Sequence, residues 1–184
     1  FGEVANAPLA VKSFEHVLTA PNGVYNVLNA MLNTGLLEKF VPEYGGITNL
    51  IQYDEYHVYP VARHSLRTVK AIKAFGTEED KSRDPLCYEI YKNLKNRKIL
   101  LWAALLHDIG KVKNVEDHDV VGAEMAFEIM LRKGYGLKEA EMVKKLVADH
   151  LYLVHIATRR DINSEETALA AAAHIKTSEA LRML

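Results

Sequence analysis

The chain has 184 residues, 49% hydrophobic and 26% charged, with a net charge of −1. Those values suit one soluble globular domain with a sizeable core, and the near-zero charge supplies no bulk field toward nucleic acid or an anionic membrane. Cys87 is the single cysteine, which excludes an internal disulfide framework and a multi-cysteine zinc site.

The longest near-continuous apolar run, Ile99 to Leu106, is long enough for a buried helix and too short to span a bilayer. The start, Phe1-Gly2-Glu3, carries no signal-peptide layout. A cytoplasmic segment of a longer protein is the expectation, binding neither membrane nor nucleic acid.

Helical periodicity dominates the chain. Val24, Leu28, Met31 and Leu32 share one face, and Gly35 is a plausible stop. Leu36 to Val41 reads as a short helix ended by Pro42, and Pro42 to Gly46 as a turn-rich connector. The spacing Ala62, Leu66, Val69, Ile72, Phe75 predicts an amphipathic helix over 61–75. Thr77 to Pro85 reads as a charged loop and 86–95 as a short helix. Ile99 to Leu106 is apolar all round, which predicts the central buried helix, running on to Ile109 and ended by Gly110. Lys111 to Asp117 reads as a charged loop. Helices are predicted over 119–133, 138–153 and 163–176. No alternating β-branched run suggests a sheet, so the expected class is all-α. Residues 1–46 read as a helical segment leading into a domain over 47–184.

The chemistry is carried by histidines beside acidic residues or at helix ends. His107-Asp108 closes the apolar run, where two ionisable groups are costly unless something pairs with them. Neighbouring helical positions point about 100° apart, but at a terminating helix end both side chains can still converge on one ion. An imidazole and a carboxylate are natural ligands for Mn, Fe, Zn or Ni. A capping Asp beside a packed histidine is the alternative. His64 near the start of the 61–75 helix, and Asp161 ahead of the next helix, are each more readily explained as ordinary surface or capping groups when taken alone. His118 lies between Asp117 and Asp119, and His150 follows Asp149. His16, His155, His174 and Cys87 read as structural.

The order His64, His107-Asp108, Asp161, with the string Leu106-His107-Asp108-Ile109-Gly110-Lys111 at its centre, resembles the HD superfamily of metal-dependent phosphohydrolases. Further strings narrow the resemblance: Phe40-Val41-Pro42-Glu43-Tyr44-Gly45, Tyr56-His57-Val58-Tyr59-Pro60-Val61, Gly122-Ala123, and Arg159-Arg160-Asp161-Ile162. They are similar to the uridylyl-removing region of the bifunctional PII uridylyltransferase/uridylyl-removing enzymes of bacterial nitrogen sensing, over about residues 20–165.

The resemblance implies a compact HD helical bundle with a divalent ion (Mn, Mg, Fe, Zn or Ni) held by His64, His107, Asp108 and Asp161. It implies His118 and His150 as ligands of a second ion or as phosphate contacts. Lys111, Arg159 and Arg160 become candidate phosphate contacts. Asp108, Lys111 and His57 become the candidate catalytic groups, His57 as proton donor or phosphate contact. The implied substrate is a uridylylated PII-type signalling protein, with nucleotidyltransferase and ligand-sensing domains flanking this region in the full-length protein. Two alternatives stay open: an HD hydrolase acting on a nucleotide, cyclic nucleotide or alarmone, and a non-catalytic sensor module that keeps the fold.

Overall fold

The computed structural model describes residues 2–51, 60–113 and 117–184. The described residues contain helices and no strand, so the chain is all-α as its periodicity predicts. Four helices precede position 42: α1 (Gly2–Ala5), α2 (Pro8–Thr19), α3 (Val24–Asn33) and α4 (Leu36–Phe40). A 3₁₀ turn covers Pro42–Gly46 where a connector was expected. Then come α5 (Val61–Ala74), α6 (Glu78–Arg83), α7 (Pro85–Asn93) and α8 (Arg97–Leu106). A second 3₁₀ turn, Ile109–Lys113, leads toward α9 (His118–Arg132). The chain continues through α10 (Leu137–Ala148), α11 (Tyr152–Arg159), α12 (Glu165–Ile175) and α13 (Ser178–Met183).

Three expectations are corrected. The charged loop at 77–85 is helical over α6, because Thr77 caps it by accepting the Asp80 N–H and acidic residues fill its first turn. The single helix predicted over 138–153 is two, broken after Ala148. There Asp149 turns aside to take the Lys145 ammonium and His174. The central helix stops at Leu106 and does not run on to Ile109, giving way to a tighter turn.

Helix α8 is the axis of the core. All of Ile99 to Leu106 is buried, with Trp102 fully enclosed between Phe14 of α2 and Phe40 of α4, at ring separations of 5.1 and 6.4 Å. The Trp102 indole still finds a partner, as a buried N–H must: it donates to the Tyr135 hydroxyl at 2.7 Å, which donates to Glu15 at 2.6 Å. Helices α5, α9 and α10 pack around this axis, so side chains from their ends meet where α8 terminates.

Lys133, just past α9, is a buried cation that no sequence pattern foretells. Its ammonium donates to the Ala5 carbonyl at 3.0 Å, to Asn6 Oδ1 at 2.9 Å and to the Phe40 carbonyl, and sits over the Phe40 ring. Burial, with Arg132 alongside, pushes its pKa down to about 8. The unfolded lysine titrates near 10.4, so between those values the unfolded chain binds more protons. The Lys133 contribution to stability therefore grows as pH rises through that window. Relative to Lys133→Met, the wild-type chain should gain up to about 3 kcal/mol between pH 8 and 10.4. Denaturant melts of the two chains at stepped pH measure the difference, and parallel curves would refute it.

Candidate metal centre

Each candidate side chain is placed by a helix end. Asp108 follows α8 and is buried, with its carboxylate facing one ammonium and three imidazoles. Its Oδ2 lies 3.0 Å from Lys111 Nζ, 3.3 Å from His107 Nε2 and 3.9 Å from His64 Nε2. Its Oδ1 lies 4.0 Å from His150 Nε2. Burial alone would raise the Asp108 pKa, but the His107 hydrogen bond and the charges of His107 and Lys111 outweigh it. The carboxyl is held well below its ordinary range.

The ligand atoms form two clusters that share Asp108. His64, His107 and Asp108 each offer an atom within 4.8 Å of the others, and so do Asp108, His118 and His150. The ring planes of His64 and His107 meet edge-on at 5.1 Å, those of His107 and His150 at 5.3 Å.

The histidines are oriented by the backbone. His107 Nδ1 is 2.8 Å from the Ala104 carbonyl and His150 Nδ1 is 2.7 Å from the Val147 carbonyl. A carbonyl oxygen only accepts, so Nδ1 carries the proton in both rings. In a neutral ring Nε2 is then a lone pair, and here it faces an ionised carboxylate. Two acceptors facing one another need a proton or a cation between them. For His150 burial opposes the proton, pushing the imidazole pKa down. A ring whose Nδ1–H is fixed on a carbonyl and whose Nε2 faces the centre is the arrangement of a metal-ligating histidine. The donor set of imidazole nitrogens and one carboxylate fits a first-row divalent ion.

Other expected site residues lie elsewhere. Asp161 belongs to neither cluster. It is exposed in the turn between α11 and α12, where Oδ1 accepts the Asn163 N–H at 2.9 Å. Helix α11 has no fully buried residue, so no buried side chain at this end draws the turn inward. Arg159 and Arg160 are exposed at the end of the same helix. Lys111 is buried against Asp108 and is not a solvated surface charge. His57 lies outside the described residues. His174 has a structural role, pairing with Asp149 at 2.8 Å and stacking on Tyr152 at 4.1 Å.

Two positioning residues escaped the sequence reading. Tyr44 is fully buried and its hydroxyl donates to the Leu105 carbonyl at 2.6 Å, fixing the end of α8 two residues before His107. Gly122 lets α9 approach the turn that follows Asp108 (its own N and Cα are 2.5 and 2.8 Å from where a Gly110 Cβ would stand). Both stand inside strings quoted above, but a string does not say what a residue touches.

The family model of the HD domain matches residues 61–178, which carry His64, His107-Asp108, His118 and His150. The chain belongs to the HD-domain family. Curated relatives named bifunctional uridylyltransferase/uridylyl-removing enzyme are similar to it. One from Vibrio cholerae serotype O1 is 33% identical over 177 residues, 96% of this chain and 20% of the relative. Another, from Methylococcus capsulatus, is 37% identical over 161 residues, 88% of this chain and 18% of the relative. The HD chain thus spans about a fifth of the length of these relatives, and the resemblance read from its strings is borne out. HD-family membership and this homology support a hydrolase with His and Asp groups able to hold a metal ion. No described helix is long and apolar enough to cross a membrane.

Proposed function

We propose that this HD domain is a metal-dependent phosphodiesterase that removes UMP from a uridylylated PII-type protein in the cytoplasm. On this reading residues 47–184 form the hydrolase unit, 1–46 lead into it, and nucleotidyltransferase and ligand-sensing domains flank it in the full-length protein. The observation that carries the hydrolase reading is the pair of oriented imidazoles, His107 and His150, aimed at one buried carboxylate.

His64, His107 and Asp108 would hold a divalent ion, and His118 and His150 a second one or the phosphate. When bound, such an ion neutralises charge on phosphoryl oxygens and makes water a competent nucleophile near neutral pH. Asp108 supplies the negative charge that balances the cation. Lys111, paired with Asp108 in this structure, is within reach of the same point and would turn to a phosphoryl oxygen when substrate binds. Arg159 and Arg160 are further candidate phosphate contacts, and His57 a candidate proton donor. Water adds at phosphorus, the bond to the tyrosyl oxygen breaks, and the tyrosinate takes a proton afterwards. With a phenol pKa of about 10 the leaving group needs no strong general acid.

Incubation with uridylylated PII and Mn²⁺, and separately with bis(p-nitrophenyl) phosphate, tests the reading. Release of UMP from PII supports it in full. Hydrolysis of the generic diester alone supports the enzyme class and counts against the substrate. Hydrolysis of neither by folded, metal-containing protein overturns both.

Asp161 is proposed as a further ligand, recruited by inward movement of the α11–α12 turn when an ion is present. No buried side chain of α11 opposes that movement. Asp161→Ala should weaken Mn²⁺ affinity at least tenfold by calorimetry, as loss of a carboxylate ligand does. Unchanged affinity would leave the ion on His64, His107 and Asp108.

A further inference from the structure

Beside the histidines lies a pocket of ≈ 260 Å³. Two helical stripes build it. His64, Thr68 and Ile72 recur every fourth residue along α5, and Leu100, Ala103 and Ala104 of α8 line the facing wall with His107 just past its end. Leu146 of α10 and Met183 of α13 close it. From His64 to Ile72 the α5 wall runs about 12 Å, so the slot leads away from the metal cluster.

Its walls discriminate between the two organic groups of a nucleotidylated phenol. Away from the histidines they are apolar, and the one hydroxyl, on Thr68, already donates to the His64 carbonyl at 3.2 Å. A pyrimidine base carries carbonyl and N–H groups that must find partners when buried; away from the histidines the slot's side chains offer its carbonyls no donor, and its N–H only the acceptor side of the Thr68 hydroxyl. A phenyl ring asks only for apolar contact. The volume lies below the roughly 300–1,000 Å³ of sites that enclose a drug-sized ligand, which suits one ring and not a whole nucleotide.

We propose that this slot seats the aryl ring of the leaving group, so that the domain selects aryl phosphodiesters and leaves the nucleoside outside the slot. The proposal rests on the hydrolase reading above and specifies which end of the substrate is held. Calorimetric titration of the Mn²⁺-supplemented chain with phenyl phosphate, methyl phosphate and UMP tests it apart from turnover.

Phenyl phosphate should bind at least tenfold more tightly than methyl phosphate. In Ile72→Trp, which fills the far end of the slot, that ratio should fall below about threefold. Ile72→Ala, which carries no risk of overpacking, should reduce it severalfold. An equal affinity for the two phosphates in the wild-type chain overturns the proposal, as does a ratio that survives both substitutions. A preference for UMP that is lost in the Ile72 variants would put the base in the slot and also overturn it. If phenyl phosphate is preferred but no diester is hydrolysed, the slot stands and the hydrolase reading fails. Hydrolysis without the preference is the reverse.

Discussion

Asp108→Ala should reduce metal-dependent diester hydrolysis to background, at least a thousandfold, and abolish Mn²⁺ retention. Asp108 is the only residue common to both clusters of ligand atoms among the described residues, so one substitution removes a donor from each. It also removes the negative charge that makes the site attractive to a cation. Truncation has a second cost, because the Lys111 ammonium is left buried without its partner. Breaking a buried pair from one side costs about 3–5 kcal/mol, so lost activity alone would not separate chemistry from folding. The double variant Asp108→Ala/Lys111→Met makes that separation. It replaces the orphaned ammonium with an apolar chain of similar length, so melting temperature should recover substantially while hydrolysis stays at background. Hydrolysis above about a tenth of wild type in either variant would remove Asp108 from the centre of the mechanism. Recovery of hydrolysis with stability in the double variant would show that Asp108 acts only by pairing with Lys111.

Much of the helical architecture was legible because burial repeats with the helix period. The face Ala62, Leu66, Val69 predicted α5 to within a residue, and the all-round apolar run predicted that α8 is the buried axis. What was not legible depends on contacts between distant segments. Lys133 reads as an ordinary surface lysine until α1 and α4 bring carbonyls to it, at sequence separations no pattern reveals. The break in the helix predicted over 138–153 depends on His174 arriving beside Asp149 from 25 residues away. At the site, adjacency of His107 and Asp108 and their place at the end of a buried helix made the pair readable. That His118 and His150 face the same carboxylate followed only from family strings, and the geometry now supplies the reason. Asp161 shows the opposite limit. Its order in the chain matches the family, yet its position depends on a helix with no buried residue to fix it. Lys111 reads from sequence as a cation free to meet phosphate, and burial against Asp108 turns it into part of the charge balance of the site.

Gly110→Ala should be among the most damaging single-methyl additions in the chain. The sequence suggests a helix stop here, but the structural need is for space. A Cβ on Gly110 would stand 2.0 Å from the His118 carbonyl oxygen, 2.5 Å from Gly122 N and 2.8 Å from Gly122 Cα. All three are backbone atoms, so no rotamer change relieves the overlap, and the turn after Asp108 must separate from the start of α9. That seam joins the two halves of the metal centre: Asp108 lies two residues before Gly110, and His118 opens α9. A destabilisation of about 4 kcal/mol or more is expected, the range reached only by specific steric or burial failures. For a chain of this size it corresponds to a fall of roughly 8–16 °C in Tm. Two other glycines set the scale. Gly122→Ala meets Gly110 N at 3.0 Å and Cα at 3.3 Å, a tight contact that should cost about 1–2 kcal/mol. Gly136→Ala meets nothing closer than Glu139 Oε2 at 4.0 Å and should stay within about 0.5 kcal/mol of wild type. Thermal melts of the three variants should therefore rank Gly110 far below Gly122, and Gly122 below Gly136. Where enough folded Gly110→Ala can be prepared, its Mn²⁺ affinity should fall as well, because His118 is carried away from Asp108. A Gly110→Ala protein that melts within 1–2 °C of wild type would mean that the turn and α9 are not in backbone contact, and the shared position of Asp108 between the two clusters would fall with it.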